Sequence, residues 1–179
     1  IALFGVGVNT VIDSCEVAFT SSDGVSLHGG TVNVARISSL FSAHAAIRMA
    51  HGYSGHAQYI FAMLGLNGTD GIVVEPHPVS TCSTYNLTPY VYGPQVLSVT
   101  IIGGGKSGKV GSLLRLGKGA KALIDSAILL YGSSAGLKAC DSVNLTRPSF
   151  ATCANRSDIS AHGCIGPGVF IFEVPIPVP

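Results

Sequence analysis

Three stretches of this chain carry residue types that could do chemistry. The first is HGYSGH, residues 51–56, which sets Ser54 among glycines and histidines. A serine nucleophile on a tight strand-to-helix turn needs small neighbours, and His56 stands where the second glycine should be. A polar loop accounts for this stretch more simply, with a small secreted serine hydrolase using Ser54 as the enzyme alternative. The second is Gly103-x-Gly105-x-x-Gly108, which follows a strand-like run. Asp125 comes about 20 residues later, a spacing that could cradle a pyrophosphate and set an acid on a ribose. However, Gly111, Gly117 and Gly119 weaken the helix that must follow, and too little chain remains after Asp125 for a doubly wound sheet. A glycine-rich β-turn is the simpler reading. The third is the set His28, His44, His51, His56 and His77, whose spacings match no helical or strand metal site. They read as separate surface residues, and neither metal nor other cofactor is expected.

The elements that would position these residues look like strands. The 179 residues suit one domain, residues 1–179, long enough to bury a sizeable core. Hydrophobic residues make up 47% and charged residues only 11%, with 23 glycines, 9 prolines and no tryptophan. That balance argues against disorder and against a helical bundle. A net charge of +1 without a basic stripe gives nucleic acid no footprint. No apolar run is long enough for a membrane helix, so no membrane partner is expected. Short apolar runs are predicted as strands at 1–8, 31–37, 59–64, 71–74, 96–102, 113–116, 127–131 and 169–174, with glycine, asparagine and proline turns between them. Residues 40–63 and 111–130 have some helical spacing, but internal glycines weaken it. The reading is all-β. No internal repeat is visible as identity.

The chain does not begin with Met and shows no cleavable leader, so it reads as a mature product. Four glycosylation sequons begin at Asn67, Asn86, Asn144 and Asn155 and lean toward a secreted glycoprotein with N-glycans. The five cysteines, Cys15, Cys82, Cys140, Cys153 and Cys164, form no C-x-x-C. In a secreted protein they imply one or two disulfides and at least one thiol left over.

Residues 17–35, VAFTSSDGVSLHGGTVNVA, resemble the N-terminal signature of the Kunitz soybean trypsin inhibitor family. Asp23-Gly24, Leu27 and Gly29-Gly30-Thr31 match it. Ser21 replaces the usual Asp, and Val32-Asn33 replace tyrosines. Further likenesses follow in order: AHAAIRMAHGYSGHAQYIFA, NGTDGIVVEPHP, VTIIGG, LKAC with TCANRSDI, and GVFIFEVPIPVP. The resemblance implies a β-trefoil of twelve short strands, six in a barrel and six in a cap, with Leu27 pointing into the core. It implies a monomeric, secreted or vacuolar plant seed or tissue protein, not an enzyme, that blocks a serine protease or an α-amylase. A non-inhibitory storage, defence, taste-modifying or carbohydrate-binding member of the family is the runner-up.

The resemblance also implies sites. The reactive loop falls at Glu75, Pro76, His77, Pro78, Val79, Ser80 and Thr81. It holds no Arg or Lys, so a subtilisin- or chymotrypsin-like target is expected rather than trypsin. One family bridge is implied as Cys140–Cys153, worth about 2–3 kcal/mol in the chain-entropy picture. Ala57 stands at the family's first cysteine, which leaves Cys15, Cys82 and Cys164 with open pairings.

Overall fold

The computed structural model describes residues 1–75, 93–104, 111–117, 120, 122–132, 135–139 and 169–172. All of its regular elements are strands: β1 (Ala2–Phe4), β2 (Val11–Ala18), β3 (Val25–His28), β4 (Asn33–Leu40), β5 (Ala45–Ala50), β6 (His56–Met63), β7 (Asp70–Val74), β8 (Gln95–Ile102), β9 (Ser112–Leu116), β10 (Leu123–Leu130), β11 (Ala135–Ala139) and β12 (Val169–Phe172). The expected strands are there. The two stretches with helical spacing are strands as well, β5–β6 and β9–β10.

The trefoil is not. Odd strands form one six-stranded sheet in chain order and even strands form another, and every pairing is parallel. A trefoil is built from antiparallel hairpins. Here each coil supplies one odd and one even strand and lies on the coil before it. The molecule is a parallel β-solenoid, a β-helix. Register partners step from Ile12 to Val34 to Ala57 along the even strands. Along the odd strands they step from Leu3 to Leu27 to Met49, so each of these coils takes nearly the same length of chain. Wider steps, from Ala57 to Val96 and from Val74 to Leu116, leave room for excursions between coils.

Side chains of like character stack inside the coil. Leu3, Leu27, Met49, Val74 and Leu116 make one inward column. Ile12, Val34, Ala57, Val96 and Ile124 make a second, and Cys15, Ile37, Ile60, Val99 and Ala127 a third. Leu27 does point into the core, at 0% exposure, but from a parallel strand between β1 and β5. Burying such a side chain is worth about 1.5–3 kcal/mol, so the columns supply much of what holds the coils together.

Left-handed residues turn the coil. Ser14, Arg36, Tyr59, Ser98 and Ser126 occupy one register position in successive even strands, and each has φ between 51° and 57°. A residue in that region bends a strand sharply. Gly5, Gly29 and His51 repeat the device just after β1, β3 and β5, and Phe19 and Phe41 repeat it after β2 and β4. Three bends per coil give a three-sided cross-section. Gly30, at φ 76°, is required: a Cβ there would collide with the Val6 carbonyl. The Gly29-Gly30 pair that resembled a hairpin turn is therefore a solenoid corner.

Two stability outcomes follow, both read by urea unfolding. Leu27→Ala should lose about 2–5 kcal/mol, because the column cannot collapse around the gap. At exposed Ser126, Val should be less stable than Gly by about 1–2 kcal/mol, because a β-branched side chain resists the left-handed bend.

Candidate functional site

The odd-strand sheet carries the main cluster of described charges. One row of register partners runs Ala2, Ser26, Arg48, Val73, Arg115 and Lys138 across the six odd strands. Pairs in parallel register lie about 4.8 Å apart, so a residue type repeated in the row makes a line along the solenoid. Carboxylates flank it. Asp23, just before β3, accepts from Arg48 Nε at 2.7 Å, from the Ala45 N–H at 3.0 Å and from Ser26 Oγ at 3.2 Å. Glu75, just after β7, accepts from Arg48 Nη1 at 2.7 Å. Its own N–H donates to the Met49 carbonyl at 2.8 Å, which extends the sheet ladder and fixes the residue's place.

Arg115 is held more loosely. Its Nη2 stands 3.5 Å from Asp70 and 3.8 Å from Glu75, and its buried Nε has no hydrogen-bond acceptor among the described residues. Asp70 is turned mainly to the backbone, accepting from the Ser112 N–H at 3.1 Å. The cluster thus holds one arginine clamped between two carboxylates and one with a donor to spare.

Its electrostatics follow. Burial alone would raise the Asp23 carboxyl, but the hydrogen bonds from Arg48 and Ala45 and the Arg48 charge outweigh it, so it sits below the usual carboxylate range. Arg48 is raised, first by its hydrogen bond to Asp23. Both stay charged across the physiological range.

A ring stack borders the cluster where the odd strands end. Phe4 stacks on His28, centroids 4.6 Å apart and 9° from parallel, and His28 leans on His51 at 5.1 Å. The Nδ1 atoms of the two histidines lie 2.9 Å apart, so one donates while the other accepts. Burial and the neighbouring His51 and Arg48 lower the His28 pKa. These two histidines are not separate surface residues, as their spacing in the sequence suggested. They stand one coil apart in the chain, and that period is the signal that would have found them. Arg48 and Glu75 escaped the functional reading for a similar reason, since each lay inside what looked like an ordinary strand or loop start.

The other expected sites fare differently. Ser54 lies in the link to β6, where its N–H donates to the Gly30 carbonyl at 3.1 Å. No helix follows it, and no histidine or carboxylate bonds its Oγ among the described residues. Gly103 ends β8 at a corner, and Asp125 lies in β10 beside Leu97, its carboxylate accepting from the Ser126 N–H. Gly105 and Gly108 lie outside the described residues. No group of three or more potential metal ligands occurs among the described residues. Cys15 is a half-buried free thiol whose Sγ is 3.4 Å from the Asp13 carbonyl. Asn67 is exposed in a turn. Glu75, expected to open an inhibitor's loop, is engaged by Arg48. Pro76, His77, Pro78, Val79, Ser80, Thr81, Cys82, Asn86, Cys140, Asn144, Cys153, Asn155 and Cys164 lie outside the described residues.

The histidine stack makes a pH prediction. His28 binds a proton less readily when folded than when unfolded, so the unfolded chain gains protons first as pH falls. Stability from this group is full well above its unfolded value of about 6.5 and declines as pH drops through that value toward the lower folded one. Urea midpoints should therefore fall between about pH 7.5 and about pH 5.5. His28→Phe, which keeps a ring on Phe4, should reduce that fall; an unchanged fall would show that His28 does not contribute.

Comparison with known proteins bears on the fold directly. A model of the pectate-lyase-like β-helix domain family matches residues 1–155. No curated protein and no solved structure matches the chain. The match and the parallel solenoid overturn the Kunitz resemblance, and with it the protease- or α-amylase-inhibitor reading and the storage alternative within that family. With six parallel strands in each sheet and a family match spanning most of its length, the chain belongs to the pectate-lyase-like β-helix domains.

Proposed function

We propose that this chain engages an extended polysaccharide along the outer face of its odd-strand sheet. The observation that carries the reading is Arg115, a guanidinium on that face whose side chain is 34% exposed and whose Nη2 has only carboxylates at 3.5 and 3.8 Å. A planar donor left unfilled beside a row of charged groups suits a ligand oxygen, and a sugar carboxylate or hydroxyl would fill it. The row through Arg48, Arg115 and Lys138 runs from coil to coil, which suits a polymer rather than a compact ligand. The name of the family points the same way, to an acidic polysaccharide.

The proposal is one of recognition. An extracellular setting is part of the same proposal, since that is where such polymers lie, and a sequon at exposed Asn67 accords with it.

Titration calorimetry with polygalacturonate and with a neutral glucan tests the reading. The acidic polymer should bind more tightly, and Arg115→Met should weaken it about tenfold, the loss of one charge-assisted contact of about 1.5 kcal/mol. Binding unaltered by Arg115→Met, or no binding of either polymer, would contradict it.

A further inference from the structure

The link between β6 and β7 sets a modification signal against an apolar patch. The chain leaves β6 at Met63 and enters β7 at Asp70. Leu64, 7% exposed, anchors the start of the link, and its N–H donates to the Ile102 carbonyl at 2.8 Å. Residues 65–68 then close a β-turn, the Gly68 N–H donating to the Gly65 carbonyl at 3.1 Å. Gly68 is pressed against the coil: a Cβ there would stand 3.0 Å from the Ser42 carbonyl oxygen and 3.3 Å from Leu64 Cβ. The Thr69 N–H donates to the His44 carbonyl at 3.2 Å. With both ends tied down, the two central residues of the turn, Leu66 and Asn67, are the exposed ones.

Asn67-Gly68-Thr69 is one of four acceptor sequons, and the other three lie outside the described residues. A sequon can be used where the asparagine is reachable and the folded chain leaves room for a bulky sugar. The tip of this turn meets both needs. Its neighbours add a second reason. Leu66 is 61% exposed, and Phe41, at the corner after β4, is 38% exposed. Neither belongs to the core cluster. The turn lies against that ring, since a Cβ on Gly65 would come 3.5 Å from Phe41 Cδ1. Apolar side chains held together at the surface suit a partner with an apolar face, and the C–H face of a sugar ring is one.

We propose that Asn67 carries an N-linked glycan whose first sugars lie over Leu66 and Phe41. In the transfer, Asn67 Nδ2 loses a proton and bonds to the anomeric carbon of an N-acetylhexosamine. The lipid-linked diphosphate that carried the oligosaccharide is the leaving group. The backbone bonds of the turn hold Asn67 in place beforehand, so little further ordering is needed to seat the sugar on the patch. Such a glycan requires the extracellular setting proposed above, not the polysaccharide contact, and Arg115 takes no part in it.

The test uses the full chain secreted from a eukaryotic host behind a leader peptide. Enzymatic release of N-glycans in heavy-oxygen water converts each occupied asparagine to a labelled aspartate. Peptide mapping then reads position 67 apart from positions 86, 144 and 155. Position 67 should carry the label in most molecules. Thr69→Ser should keep it, whereas Asn67→Gln and Thr69→Ala should abolish it. Hydroxyl-radical footprinting compares the glycosylated chain with Asn67→Gln, and oxidation of Leu66 and Phe41 should be severalfold lower under the glycan. Urea unfolding shows that each form is folded. An unlabelled position 67 in the secreted, folded chain overturns the proposal. A labelled position 67 with Leu66 and Phe41 oxidised as readily as in Asn67→Gln overturns the covering of the patch. Calorimetry of Arg115→Met is a separate readout, so failure at position 67 leaves the polysaccharide reading standing, and the reverse.

Discussion

The strands of each coil complete their backbone ladders with the coil before and the coil after. Among the described residues no strand pairs with another strand of its own coil, and every ladder in the two sheets joins residues a full coil apart in the chain. Each strand therefore needs its neighbour in register, and a slip of one residue would turn an apolar column outward. The columns, the left-handed bends and the row of charges are all consequences of that register. Tyr53 shows how the links between strands are pinned. Its hydroxyl donates to the Val32 carbonyl at 2.8 Å from a site where burial pushes its phenol pKa up, so it stays a donor.

The same constraint places the candidate site. A solenoid lines up whatever stands at one position of successive coils. Arg48 and Arg115 share a row because 48 and 115 share a register position two strands apart, not because the residues are near in sequence. Arg48 joins three coils through Asp23 and Glu75, and Asp70 joins two through the Ser112 amide. The polar face thus both ties coils together and offers donors outward. These ion pairs are partly exposed, so each adds little by itself, and the apolar columns do more of the holding.

Much of the secondary structure was legible. Alternating apolar and polar residues between turn signals marked eight of the strands, and Leu27 was read correctly as core. Strand direction was not legible. Asp23-Gly24 and Gly29-Gly30 look like hairpin turns, yet Asp23 caps β5 of the next coil through the Ala45 amide and Gly30 makes room for Val6. Turn residues state that a chain bends, not whether the next strand returns beside the last or passes on to a new coil. The bends within the even strands gave no clear signal, because three are serines, one is Arg36 and one is Tyr59, and none is the glycine that usually marks a left-handed bend. The repeat was hidden because only residue class recurs, and because excursions such as that between Val74 and Leu116 break the period. A resemblance assembled from turns and short β runs fits several all-β folds, which is why its order along the chain misled. Of the site, His28 and His51 were singled out but not joined, and Glu75 was named as the start of a loop rather than as a partner of Arg48.

The central claim is the parallel, in-register stacking of successive coils. Cross-linking tests it most directly. Glu16 and Ser38 are direct partners on β2 and β4, and Phe61 follows Ser38 on β6. Neighbouring strands lie about 4.8 Å apart, within disulfide reach, whereas strands two apart lie about 9.6 Å apart, beyond it. Glu16→Cys/Ser38→Cys, made with Cys15→Ala, should oxidise to an intramolecular bridge that peptide mapping finds between positions 16 and 38. Glu16→Cys/Phe61→Cys should not. A bridge from 16 to 61 as ready as that from 16 to 38, or none from 16 to 38 in the folded chain, would contradict the stacking on which the rest depends.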